Sequence, residues 1–263
     1  MAHEAGFEAV EIRDTKLAAY LKGGGALYTL RRTLSDVGLE AASLNALEQA
    51  TLVAGEVRTT VLRRCRTLCE WASGVGCPYV IVVPSLTEGT PTRGGSRTVF
   101  DESTIVTQTV AALRAMAEVA RPFQVKIGFE FLGFANCSVR TLSRARRVVE
   151  ATKDPNVGLV IDAFHFYIGG STWEMLEGLD PAQLFIVHLD DAERRPRGEL
   201  TDAHRLLPGE GVIPLRDLIR RLQKIGFGGV YSVELFRPEY WKRDPLELAR
   251  AAHQKMEALF VGA

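Results

Sequence analysis

The sequence predicts an α/β protein, a (β/α)8 barrel of parallel strands, and three observations carry that expectation. Short apolar runs alternate with longer amphipathic segments along the whole chain. The runs are nearly continuous in apolar residues, as parallel strands covered on both faces are. Several helical segments end on a glycine step just before the next run, the pattern of a helix cap followed by re-entry into a sheet.

The runs are "EAVEIR" from Glu8, "LEAASLNAL" from Leu39, "YVIVVPS" from Tyr79 and "VKIGFEFLG" from Val125. They continue with "VGLVIDAF" from Val157, "LFIVHLDD" from Leu184 and "VYSVELF" from Val230. Between them lie "TVLRRCRTLCEWASGVG" and "IPLRDLIRRLQKIGFGG", whose apolar residues recur with helical spacing. The glycine steps are "EAGFEAV", "DVGLEA", "GVGCPYV" and "KIGFGGV". No proline-rich or low-complexity linker divides these units, so residues 1–263 are expected to form one barrel domain.

An open doubly wound sheet is the competing architecture. Its dinucleotide-binding form expects a G-x-G-x-x-G turn after the first strand, and none occurs. "KGGGA", Lys22 to Ala26, falls inside the segment after the first run and reads as a loop or helix break. Polar residues favour the barrel. Glu130, Asp162, His188 and Glu234 each interrupt an apolar run near its C-terminal end. In a barrel those ends converge on one mouth, where catalytic groups collect. Only seven units are visible, and "HEAGFEAVEIR" reads as the end of a helix entering a second strand. The first βα unit is therefore expected to be missing from this chain.

Composition excludes several functions. Lys plus Arg equals Asp plus Glu at 32 each, and the basic residues are scattered, so nothing marks a nucleic-acid or anionic-membrane partner. No apolar run approaches the ~20 residues that span a bilayer, and "MAHEAGFEAV" lacks the layout of a secretion signal. The four cysteines do not form a disulfide framework, and Cys65 and Cys69, four apart on one helix, read as core packing. A reduced cytoplasmic compartment is the expected location.

Three carboxylates gathered at one mouth would repel and raise one another's pKa unless a cation joined them. Carboxylate oxygens and one imidazole suit Mn²⁺, Mg²⁺, Co²⁺ or Zn²⁺. One divalent metal ion is thus the expected cofactor, with Glu130, Asp162, His188 and Glu234 as its ligands.

From about Phe7 onward the chain resembles the xylose-isomerase-like (β/α)8 barrels, the sugar phosphate isomerases and epimerases. The segments "NVGLVIDAFHF", "HLDD", "LTDAHRLLPGEGVI" and above all "SVELFRPEYW" are most similar to inosose isomerases of inositol catabolism. The resemblance implies one metal held by Glu, Asp, His and Glu from four strand ends. It also implies that Glu130 and Glu234 act as acid and base on either side of a ketone substrate, with proton transfer through an enediolate. His165 and Arg205 are implied to bind substrate oxygens. Asp190 and Asp191 are expected to orient His188, and "RPEYW" to form part of the pocket rim. The expected partner is a small polyol or keto-sugar, with neither nucleic acid nor membrane, and a homodimer is the assembly left open. A dehydratase of inosose or 3-dehydroshikimate on the same site is the alternative. DNA repair by histidine-rich relatives of the fold fits poorly with five histidines in all.

Overall fold

The computed structural model describes residues 1–86 and 100–261. Seven parallel strands form one sheet: β1 (Ala9–Arg13), β2 (Glu40–Leu47), β3 (Tyr79–Val82), β4 (Lys126–Glu130), β5 (Val157–Asp162), β6 (Leu184–His188) and β9 (Val230–Ser232). Each pairs with its neighbour in chain order. A short antiparallel pair, β7 (Asp191–Ala192) and β8 (Arg205–Leu206), lies between β6 and β9 in the chain.

Helices wrap the sheet: α1 (Asp14–Lys22), α2 (Leu27–Asp36), α3 (Gly55–Val75), α4 (Glu102–Ala120), α5 (Leu142–Thr152), α6 (Ala163–Gly169), α7 (Leu215–Lys224) and α8 (Pro245–Phe260). "KGGGA" is the break between α1 and α2. α3 ends where Gly76 takes φ +80°, a left-handed conformation that spares a Cβ clash only for glycine. Cys65 and Cys69 pack, reduced and fully buried, in the apolar layer between helices and sheet.

The barrel interior is a second, smaller core of Ala46, Ile81, Val83, Val160, Phe185 and Ile186. Phe185 crosses it and stacks on Tyr79 at 4.8 Å between ring centroids. Glycine at 158 makes room for that ring, which occupies the place a Cβ would take. The polar residues Glu130, Asp162 and His188 lie at the C-terminal ends of their strands.

The sheet begins at β1 and ends at β9, which are not paired with each other. Both strands are half-buried along their length, whereas β4, β5 and β6 are almost wholly buried. A cleft of about 1440 Å³, lined by Phe7, Val10, Tyr231, Val233 and Phe260, runs between them and inward to Glu11, Asn45 and Glu234. Among the described residues this is a nearly closed barrel of seven parallel strands.

Candidate active site

β4, β5 and β6 end on Glu130, Asp162 and His188. Asp162 pairs directly with His188, and Glu130 pairs with Val160, two residues before Asp162, so the three strand ends are neighbours at the C-terminal edge of the sheet. His188 pairs in turn with Ser232, the last residue of β9, and Glu234 lies two residues further on. One potential ligand atom from each of Glu130, Asp162, His188 and Glu234 lies within 4.8 Å of all the others. His188 Nδ1 stands 3.2 Å from Glu130 Oε1, 3.3 Å from Glu234 Oε2 and 3.7 Å from Asp162 Oδ2. Two ligands each ~2.1 Å from an ion stand about 3–4 Å apart. The donor set therefore fits a single divalent ion in both chemistry and spacing.

The charges argue the same way. Burial pushes the Glu130 carboxyl up to about 7, only partly offset by His188. Burial also raises Glu234, but His188 and Arg205 outweigh it and hold that carboxyl below its ordinary range. Asp162 is buried too, yet Arg205 and the two histidines keep it ionised far into acid. Burial would lower His188, but Glu11, Glu234 and Glu130 together lift it well above the usual imidazole range. An imidazolium amid carboxylates marks a place where positive charge is favoured, and a cation bound there would displace that proton.

Asp162 has two tasks. Its Oδ1 accepts the His165 backbone N–H at 2.6 Å, capping α6, while Oδ2 faces the cluster and accepts from Arg205 Nη1 at 2.6 Å. Arg205 is 1% exposed and spends its donors on Asp162, Asp190, Asp202 and His165, with its guanidinium over the Phe164 ring at 4.8 Å. Arginine only donates, so the 3.1 Å contact from Nη2 makes His165 Nε2 the acceptor. Burial holds His165 neutral, down to about 4, so its proton sits on Nδ1. That nitrogen is buried and has no hydrogen-bond partner among the described residues.

Asp190 and Asp191 do not support His188 as expected. Asp190 accepts from Arg205 and from the Phe164 N–H at 3.1 Å. Asp191 turns away to the "PGEG" loop, accepting from the N–H groups of Gly209, Gly211 and Ile213 at 3.1, 2.8 and 2.8 Å. The residue behind His188 is Glu11 of β1, 3.2 Å from Nε2, which the sequence reading missed. Its signal was weaker than that of the others, because in "EAVEIR" the acid stands between Glu8 and Arg13. Asn45 of β2 donates from Nδ2 to Glu234 Oε1 at 2.7 Å. Trp241 is 67% exposed at the rim of the cleft between β1 and β9.

Residues 1–259 match the model of the xylose isomerase-like TIM barrel family. The chain belongs to this family. Among its relatives, the inosose isomerase of Bacillus subtilis is 35% identical over 253 residues, 96% of this chain and 87% of that protein. The inosose isomerase of Halalkalibacterium halodurans is 35% identical over 248 residues, covering 94% and 84%. A crystal structure of IolI protein with a bound zinc atom superposes with a TM-score of 0.91 at 33% identity, covering 99% of this chain and 91% of that one. A 3-dehydroshikimate dehydratase of Pseudomonas aeruginosa is more distant, 25% identical over 88% of this chain and 34% of its own length. Among the described residues no helix is long and apolar enough to cross a membrane.

Proposed function

We propose that the protein is a divalent-metal-dependent isomerase of an inosose-type polyol ketone, with residues 1–263 acting as one barrel domain. The observation that carries this reading is the convergence of Glu130, Asp162, His188 and Glu234 within 4.8 Å at the mouth of the barrel. It is supported by the inosose isomerase relatives and by the zinc in the IolI structure. These four residues hold the metal. When bound, the ion serves as a Lewis acid toward the ketone oxygen and its neighbouring hydroxyl.

Glu234, ionised and held by Asn45, takes the proton from the carbon next to the carbonyl. The C–H electron pair becomes the C=C bond of an enediol, and the carbonyl π pair moves to its oxygen. Glu130, on the other side of the substrate, delivers a proton to the former carbonyl carbon. The hydroxyl proton of the first carbon passes to the former carbonyl oxygen, and the proton taken by Glu234 returns to Glu130 through solvent, so the carbonyl moves by one position. General acid–base help of this kind contributes roughly 10²–10⁴-fold. His165 donates from its unpartnered Nδ1–H to a substrate hydroxyl. Arg205 holds His165 in that tautomer and adds positive charge near the substrate oxygens.

Incubating zinc-loaded protein with an inosose in D₂O tests this reading. Incorporation of deuterium at carbon, followed by proton NMR, with no ultraviolet-absorbing enone is the expected result. Enone formation would replace it with the dehydratase reading, and absence of both would contradict catalysis on this class of substrate.

A further inference from the structure

The three acids of the cluster all approach His188 from its Nδ1 side, and none of them explains what stands behind the ring. Glu11 does. Its Oε1 lies 3.2 Å and its Oε2 3.4 Å from His188 Nε2, with the imidazole between Glu11 and the three acids at Nδ1. Glu11 is itself fixed: Ser43 Oγ of β2 donates to Oε2, and the Ser232 hydroxyl of β9 supplies a further hydrogen bond. Three strands thus converge on one carboxylate that is not among the clustered groups.

An imidazole that gives Nδ1 to a metal has one ring proton left, on Nε2. A carboxylate facing Nε2 selects that tautomer, fixes the plane of the ring and makes Nδ1 a stronger donor. We propose that Glu11 is the positioning residue of the metal centre, holding His188 as the Nε2–H tautomer with Nδ1 turned to the ion. The assignment rests on the metal-centre reading above and adds a fifth strand to it. β1 borders the cleft where the sheet is left open, so the support of His188 sits at the seam of the barrel.

The test compares wild type with Glu11→Gln and Glu11→Ala. Zinc affinity of the metal-stripped proteins is measured by chelator competition, and His188 is followed in the zinc-loaded proteins by ¹H–¹⁵N correlation through the ring. Loss of such a supporting residue costs ~10–100-fold in metal affinity. Glu11→Gln keeps the shape and an acceptor oxygen, so a loss of ~10-fold is expected; Glu11→Ala should approach ~100-fold. The wild type should show one slowly exchanging Nε2–H and a metal-bound Nδ1, and Glu11→Ala should lose that protected signal. Loosening of the barrel alone would leave the ring pattern as it is. If both variants bind zinc like the wild type and keep the protected Nε2–H, the proposal is wrong. A wild type that binds no zinc would instead contradict the metal centre itself, and this proposal with it.

Discussion

Glu130 Oε1 and Glu234 Oε2 stand almost equally far from one nitrogen, His188 Nδ1, at 3.2 and 3.3 Å, yet the two carboxyls are driven in opposite directions. Glu130 is pushed up to about 7 by burial, with Glu234 and Asp162 adding to it. Glu234 is pulled below the ordinary range once His188 and Arg205 overcome its burial. In the metal-free site Glu130 therefore keeps its proton more tightly than Glu234 does. Glu234→Gln should slow deuterium incorporation into inosose by at least ~100-fold, the scale of a lost general base. Exchange at the wild-type rate would remove Glu234 from that role.

The same groups make metal binding depend on pH. A proton on Glu130 or on His188 competes with the ion, and both groups are raised relative to their free forms, Glu130 to about 7. The metal-free site therefore carries protons that a cation must displace, so binding releases protons and affinity rises with pH. Zinc affinity should increase at least ~10-fold between pH 6 and pH 8. Calorimetry in buffers of different ionisation enthalpy should count protons released at pH 6. A flat profile would mean that neither group is a ligand.

Arg205 is the counter-charge for Asp162 at the floor of the site. Its Nη1 meets both Asp162 and Asp190, and burial pushes the Asp190 carboxyl well above its usual range, so Asp162 is the acid that stays charged. Arg205→Met would leave that charge buried without its partner, a loss of about 3–5 kcal/mol. Urea denaturation should register it. Saturating zinc should restore part of the loss, because the ion supplies Asp162 with positive charge again.

Asp191 serves the fold, not the chemistry. It accepts N–H groups from Ala192, Gly209, Gly211 and Ile213 and so shapes the loop that follows β8. A Cβ on residue 211 would collide with the Ala192 carbonyl and with Asp191 itself, which explains the glycine there. Asp191→Ala should cost about 2–4 kcal/mol in unfolding free energy, since several N–H groups lose their acceptor. Zinc affinity of the folded protein should stay within about twofold of wild type, because Asp191 is not among the clustered ligand atoms.

The candidate ligands were legible because a charged residue inside an apolar strand is costly unless something pairs with it. Glu130, Asp162, His188 and Glu234 share that signature, and the adjacent parallel strands β4, β5 and β6 bring the first three to the same edge of the sheet. Glu11 carries the signature too, but in "EAVEIR" it sits among other charged residues and reads as one face of an amphipathic strand. Its partner His188 is 177 positions away, a pairing that only closure of the sheet creates. Asp190 and Asp191 misled for the opposite reason. They adjoin the histidine in sequence, but alternation along the chain sends one to Arg205 and the other to the "PGEG" loop. The run "VGLVIDAF" reads as continuous strand, but Asp162 caps α6 at His165, so the strand ends there.

Anomalous diffraction from a crystal of the zinc-loaded protein, recorded at the zinc absorption edge, tests the central claim most directly. A single strong peak bounded by Glu130, Asp162, His188 Nδ1 and Glu234 is the result the account requires. A peak elsewhere, or one coordinated by His188 through Nε2, would contradict it.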